Sequence, residues 1–141
     1  MLGDRRPPTL LVVDDEADML ENIARILRRN SYACLTAASG QAALGLLERD
    51  LPDLVLTDLR MPGTDGLAVL RHVRRVAPRV PVVIITAYAS DDAAQEARAA
   101  GAAGFLIKPF TARELLLTIQ QAMTTPGGRD APSPPVGERA G

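Results

Sequence analysis

Cysteine, histidine and lysine occur once each in this 141-residue chain, and tryptophan not at all. The lone Cys34 excludes an internal disulfide and a thiolate metal cluster. It stands in the apolar run from Tyr32 to Leu35, which predicts a small core residue. His72, among Arg71, Arg74 and Arg75, is expected on a helix surface, with nothing beside it to make it a ligand or base. No apolar run approaches the roughly 20 residues of a spanning helix. The opening stretch, Met1 to Pro8, also lacks a signal-peptide apolar core. A cytoplasmic protein without membrane contact is therefore expected. A net charge of -1 gives no electrostatic case for binding nucleic acid. Fifteen of the sixteen basic residues are arginine, so the single lysine, Lys108, asks for a chemical reason.

What is present is an alternation. The length suits one domain with a real core, and the 47% apolar content is ordinary for a globular chain. Short apolar runs at Thr9–Val13, Tyr32–Thr36, Leu54–Leu56, Val82–Ile85 and Phe105–Ile107 read as strands. Helical patterns follow each. Leu20, Ile23, Ala24 and Leu27 form the buried stripe of the first, which runs to about Arg29. Ser39 caps a second carrying Leu44 and Leu47, and a third carries Val69, Leu70, Val73 and Val76. Ser90, with Asp91 and Asp92, opens an Ala-rich fourth. Thr111 and Glu114 form a capping box for a fifth, with Leu115, Leu116, Ile119, Ala122 and Met123 as its apolar positions.

Continuous rather than alternating apolar strands predict burial on both faces. The fold class is α/β: a five-stranded parallel sheet, doubly wound, in a (βα)5 chain. Residues 1–8 read as a lead-in and 9–125 as the domain. In 126–141, half of the sixteen residues are Pro or Gly, which predicts a disordered tail or linker.

Ligands bind beyond the carboxyl ends of the strands in such a sheet. Asp14 and Asp15 follow strand one, Asp58 ends strand three, Thr86 follows strand four and Lys108 follows strand five. Each has a plain structural reading: a helix cap, a turn, a strand end, an exposed base. Their convergence on one sheet edge points instead to a site. Three carboxylates forced together need a proton or a cation, and an all-oxygen site open to water suits Mg²⁺. Asp58 can then act as a nucleophile toward phosphorus, with Lys108 and Thr86 holding phosphoryl oxygens.

Four motifs stand in order: Leu11-Val-Val-Asp-Asp15, Thr57-Asp58-Leu-Arg-Met-Pro-Gly-Thr-Asp-Gly66, Ile85-Thr86-Ala87-Tyr88 and Lys108-Pro109-Phe110. With them the chain resembles a bacterial two-component response-regulator receiver domain over residues 9 to about 125. The resemblance is either to a chemotaxis-type single-domain regulator or to the N-terminal receiver of a larger one. The resemblance implies a flavodoxin-like sheet of order 2-1-3-4-5. It implies that Asp58 accepts a phosphoryl group from a histidine kinase or phosphotransfer protein. It also implies Mg²⁺ held by Asp15, Asp58 and the backbone carbonyl of Arg60, with Asp14 acting through water. A cis Lys108-Pro109 peptide and a switch made of Thr86 and Phe105 are implied too. So is a partner surface of helix four, strand five and helix five that binds an effector or a second copy.

The implied role is a signalling switch, with self-phosphotransfer and autodephosphorylation as its only chemistry. Phosphate-independent binding and an aspartate-nucleophile phosphatase are the rivals. The phosphatase pattern, Asp-x-Asp after strand one, is not matched by the adjacent Asp14 and Asp15. Arg60 and Tyr88 flank the expected path of the hydrolytic water, which predicts slow loss of the phosphoryl group. The motif wording resembles receivers that precede ATPase domains of transcriptional activators. The tail nevertheless leads us to expect a stand-alone regulator.

Overall fold

The computed structural model describes residues 6–88 and 92–124. Its elements alternate along the chain: β1 (Thr9–Val13), α1 (Ala17–Arg29), β2 (Ala33–Ala37), α2 (Gly40–Arg49) and β3 (Leu54–Asp58). There follow α3 (Gly66–Val76), β4 (Val82–Thr86), α4 (Asp92–Ala99), β5 (Gly104–Ile107) and α5 (Ala112–Met123). Among the described residues all pairings are parallel, in the order β2-β1-β3-β4-β5. The expected cap at Ser90 and the tail from Pro126 lie outside the described residues. No helix among the described residues is long and apolar enough to cross a membrane.

Strand alternation divides the core into two layers. Leu10 and Val12 of β1, Leu54 and Leu56 of β3, and Val83 and Ile85 of β4 face Ile23 and Leu27 of α1 and Leu115 and Ile119 of α5. Leu11, Val13, Val55, Val82 and Ile84 point the other way, onto Ala43 and Leu47 of α2, Val69, Leu70 and Val73 of α3, and Ala94 and Ala97 of α4. Burial of each large side chain stabilises the fold by roughly 2 kcal/mol before chain entropy is counted. Burial on both faces, expected of every strand, holds for β1, β3 and β4 and fails at the edges. Leu35 on β2 is 40% exposed and Ile107 on β5 is 43% exposed, because an edge strand has a helix layer over only part of its width. Cys34 is half-buried on the α1 side, where burial pushes its thiol up.

The second strand begins one residue later than expected, and the cause is the end of α1. The Tyr32 N–H donates to Leu27 O and the Ser31 N–H to Arg28 O, while Ser31 takes the left-handed conformation at φ 71°. This is a Schellman closure, so the amide of Tyr32 serves the helix rather than the sheet. The same closure ends α4, with Gly101 at φ 101° and the Ala102 N–H on Ala97 O. Val76, expected in the buried stripe of α3, is 53% exposed. Ala77, four residues beyond Val73, takes the inward place at the helix end. The Ser39 cap and the Thr111–Glu114 capping box form as expected.

Ser31 carries a side chain where glycine is at ease. Ser31→Gly is expected to stabilise the fold by about 0.5–1 kcal/mol, read as a higher urea midpoint at unchanged slope.

Candidate functional site

The central strands deliver their polar residues to one edge. Asp14 follows β1, Asp58 closes β3 and Thr86 closes β4, and all three are buried, at 0%, 8% and 1% exposure. Lys108 follows β5, its backbone N–H bonded to Thr86 O at 2.9 Å. Asp15 is exposed at the mouth. Carboxylate oxygens of Asp14, Asp15 and Asp58 all lie within 4.8 Å of one another. All five strand-end residues expected at the site are thus brought together.

Lys108 is the counter-charge. Its Nζ lies 3.3 Å from Asp14 Oδ2, 3.5 Å from Asp58 Oδ2 and 3.4 Å from Glu16 Oε1. Burial pushes the Asp58 carboxyl above its ordinary range, opposed by Lys108 and reinforced by the charge of Asp14. Burial raises Asp14 as well, opposed by the Glu16 backbone N–H on its Oδ1 at 2.9 Å and by Lys108. For Lys108, burial alone would lower the ammonium. The carboxylates of Asp58, Asp14 and Glu16 outweigh it and hold the group above its usual value. One ammonium facing four carboxylates leaves a surplus of negative charge lined by hard oxygen donors. That donor chemistry fits a divalent cation such as Mg²⁺.

The position of Asp58 is held by its surroundings. Thr57 Oγ1 donates to Asp58 O at 2.9 Å, and the Leu59 N–H donates to Ile85 O at 3.0 Å. A Cβ on Gly66 would overlap the Asp58 carbonyl oxygen, so only glycine lets α3 start against the end of β3. Asp65 caps that helix by accepting from the Ala68 N–H. Thr86 Oγ1 accepts from the Tyr88 N–H at 2.9 Å, which leaves its own proton to donate into the site. Arg60 reaches across the mouth, its guanidinium 5.5 Å from the centre of the Tyr88 ring. Both border the cleft of about 210 Å³ that opens onto Asp58. The Lys108-Pro109 peptide is cis.

Phe105, expected in the switch, stands apart from this cluster. It is half-buried on β5, with the Arg98 guanidinium of α4 4.3 Å from the centre of its ring.

Two residues escaped the sequence reading. Glu16 carries no local signal, because only the fold brings it to Lys108, 92 residues away. Gly66 stands at the end of the Pro- and Gly-containing motif after Asp58, and its close approach to the Asp58 carbonyl is a tertiary fact. Asp14 does not cap α1 through its side chain in the usual way, since the N-cap is Glu16 and no side-chain cap bond forms there.

A doubly wound α/β module with an acidic cluster beside one lysine is what the fold and this edge define. The sequence model of the response regulator receiver domain matches residues 10–120. The Escherichia coli transcriptional regulatory protein ZraR is 38% identical over 127 residues, covering 90% of this chain and 29% of ZraR. The chain therefore spans under a third of that relative. The receiver domain of NtrX from Brucella abortus superposes at TM-score 0.77 and 36% identity, covering 82% of this chain and 98% of that one. The Vibrio cholerae chemotaxis protein CheY4 does so at 0.78 and 30%, with the same two coverages of 82% and 98%. The chain belongs to the response regulator receiver domain family. Its five-stranded order is the flavodoxin-like one of those neighbours.

Crowded carboxylates make the metal-free site costly. With Asp58 raised, the folded state binds the extra proton, so this carboxyl lowers stability as pH rises above its ordinary 3.8. Without Mg²⁺, Asp58→Asn is expected to raise stability at pH 7 by about 1 kcal/mol. The gain should vanish toward pH 3.8, where wild-type Asp58 is itself protonated. Mg²⁺ should stabilise wild type more than the variant. Thermal unfolding with EDTA or Mg²⁺ at the two pH values reads all three.

Proposed function

We propose that this chain is a phosphorylation-activated switch of a two-component system, with Asp58 as the phosphoryl acceptor. The observation that carries the reading is the convergence on Asp58. The carboxylate ends β3, nearly buried but bordering the cleft, with Lys108 at 3.5 Å, the Asp14 and Asp15 carboxylates beside it and Thr86 on the adjoining strand. Asp15, Asp58 and the Arg60 backbone carbonyl would hold Mg²⁺ directly, with Asp14 acting through water. When bound, the ion offsets the charge that gathers on the phosphoryl oxygens.

The chain's own residues do the rest. An Asp58 oxygen attacks the phosphorus of a phosphohistidine on a histidine kinase or phosphotransfer protein. The new O–P bond replaces the P–N bond, and the departing imidazole nitrogen takes a proton. Lys108 then pairs with one phosphoryl oxygen and Thr86 donates to another. The self-phosphotransfer and the later hydrolysis are the only chemistry, so the protein signals rather than turns over a substrate.

The readout runs from Thr86 toward Phe105. Register places Ile84 of β4 against Phe105 and Thr86 against Ile107 on β5, so both switch residues sit on one strand pair. Turning the Phe105 ring inward gives up its contact with Arg98, which is worth about 1 kcal/mol. That sets a modest threshold for reshaping the α4–β5–α5 face. Ile107 and Leu117 are exposed there, as an effector or a second copy of the chain would require. Residues 9–125 are the working unit, residues 1–8 a lead-in and residues 126–141 a tail or linker. The setting is cytoplasmic.

Incubation with phosphoramidate and Mg²⁺ is expected to add one phosphoryl group by intact mass. None should add with EDTA or in Asp58→Asn. Equal gain in Asp58→Asn would overturn the assignment. The Arg60–Tyr88 pair roofs the approach to Asp58, so replacing both with alanine should speed loss of the phosphoryl group by about three- to tenfold. An unchanged decay of the purified phosphoprotein would remove that role.

A further inference from the structure

We infer that Glu16 is a positioning residue, holding in the resting site the place on Lys108 that a phosphoryl oxygen takes when it arrives. This rests on the acceptor reading of Asp58. An ammonium has three N–H donors. Lys108 Nζ has three carboxylate partners among the described residues: Asp14 at 3.3 Å, Glu16 at 3.4 Å and Asp58 at 3.5 Å. Its donors are fully engaged, so an incoming oxygen must displace one partner.

The three partners are not equally free to leave. Asp14 is fully buried, and its other oxygen already accepts from the Glu16 N–H. Deprived of Lys108 it would be a buried carboxylate without its direct ion-pair partner. Asp58 carries the arriving group and stays. Glu16 has a side chain 63% exposed, which water resolvates at little cost.

Local structure agrees. Glu16 is the N-cap of α1, yet its side chain makes no cap bond there and reaches instead to Lys108. Asp14 pins its backbone, so the carboxylate swings away without disturbing the helix. Glu16 thus keeps Lys108 aimed in the resting site and competes with anions for it.

The test uses the full chain and beryllofluoride, a phosphoryl mimic, with Mg²⁺, its bound fraction read by ¹⁹F NMR. Glu16→Ala should bind it about three- to fivefold more tightly than wild type, the release of one exposed ion pair. Glu16→Asp keeps the charge but withdraws it by about 1.5 Å, the length of one methylene. It should tighten binding as the alanine does. Asp18→Asn removes an equal charge from the first turn of α1 and should stay within about twofold of wild type. Unchanged or weaker binding by Glu16→Ala overturns the inference. So does a wild-type affinity in Glu16→Asp, or tightening in Asp18→Asn that matches the alanine, since either would reduce the effect to net charge. Loss of binding in Asp58→Asn checks the acceptor reading separately. Failure of wild type to bind would overturn that reading and this inference with it.

Discussion

One ammonium set against four carboxylates is the constraint on which the carboxyl edge of this sheet depends. Asp14, Asp58 and Glu16 each lie within 3.5 Å of Lys108 Nζ, and Asp15 completes the acidic group. Lysine alone cannot balance them, and burial keeps two of them from sharing their charge with water. Such a donor set suits a cation, and the proposed switch would then exchange a lysine contact for one to an anion. The cost of gathering the charges is met by the core beneath. Two apolar layers fix the central strands so firmly that their terminal residues cannot drift apart.

The same sheet connects the site to the surface. Lys108 and Thr86 are joined through a backbone bond where β4 and β5 end. Two residues back along β5, Phe105 lies under Arg98 of α4. In the proposed switch, a change at Asp58 would travel this short path to the edge strand and to α4. β5 and its neighbours suit that role because they carry less apolar cover than the centre: Ile107 and Leu117 face solvent, whereas every residue of β3 and β4 is buried.

Much of this was legible in the sequence because it is local or periodic. Asp58, Thr86 and Lys108 follow apolar runs, and the sheet's order of ends gathers whatever stands there. The Thr111–Glu114 box and the Ser39 cap are short-range signals, and both hold. Other features were not legible because they depend on competition or on contacts across the fold. Tyr32 has strand character, yet its amide is taken by the closure of α1. Val76 fits a helical stripe, yet Ala77 fills the inward place. Leu35 and Ile107 look like the apolar residues of any buried strand, and only the sheet order makes them edges. Glu16 resembles an ordinary first-turn acid until Lys108 arrives beside it. Gly66 explains itself only against the carbonyl of Asp58.

The most direct measurement is to locate the modified side chain. The protein would be treated with phosphoramidate and Mg²⁺ and reduced with borohydride, which converts an aspartyl phosphate to homoserine. Peptide mass spectrometry would then read the position. Homoserine at position 58 alone, dependent on Mg²⁺, is the expected result. Homoserine at position 14 or 15, stable phosphate on His72, or no modification under conditions that keep the protein folded would contradict it.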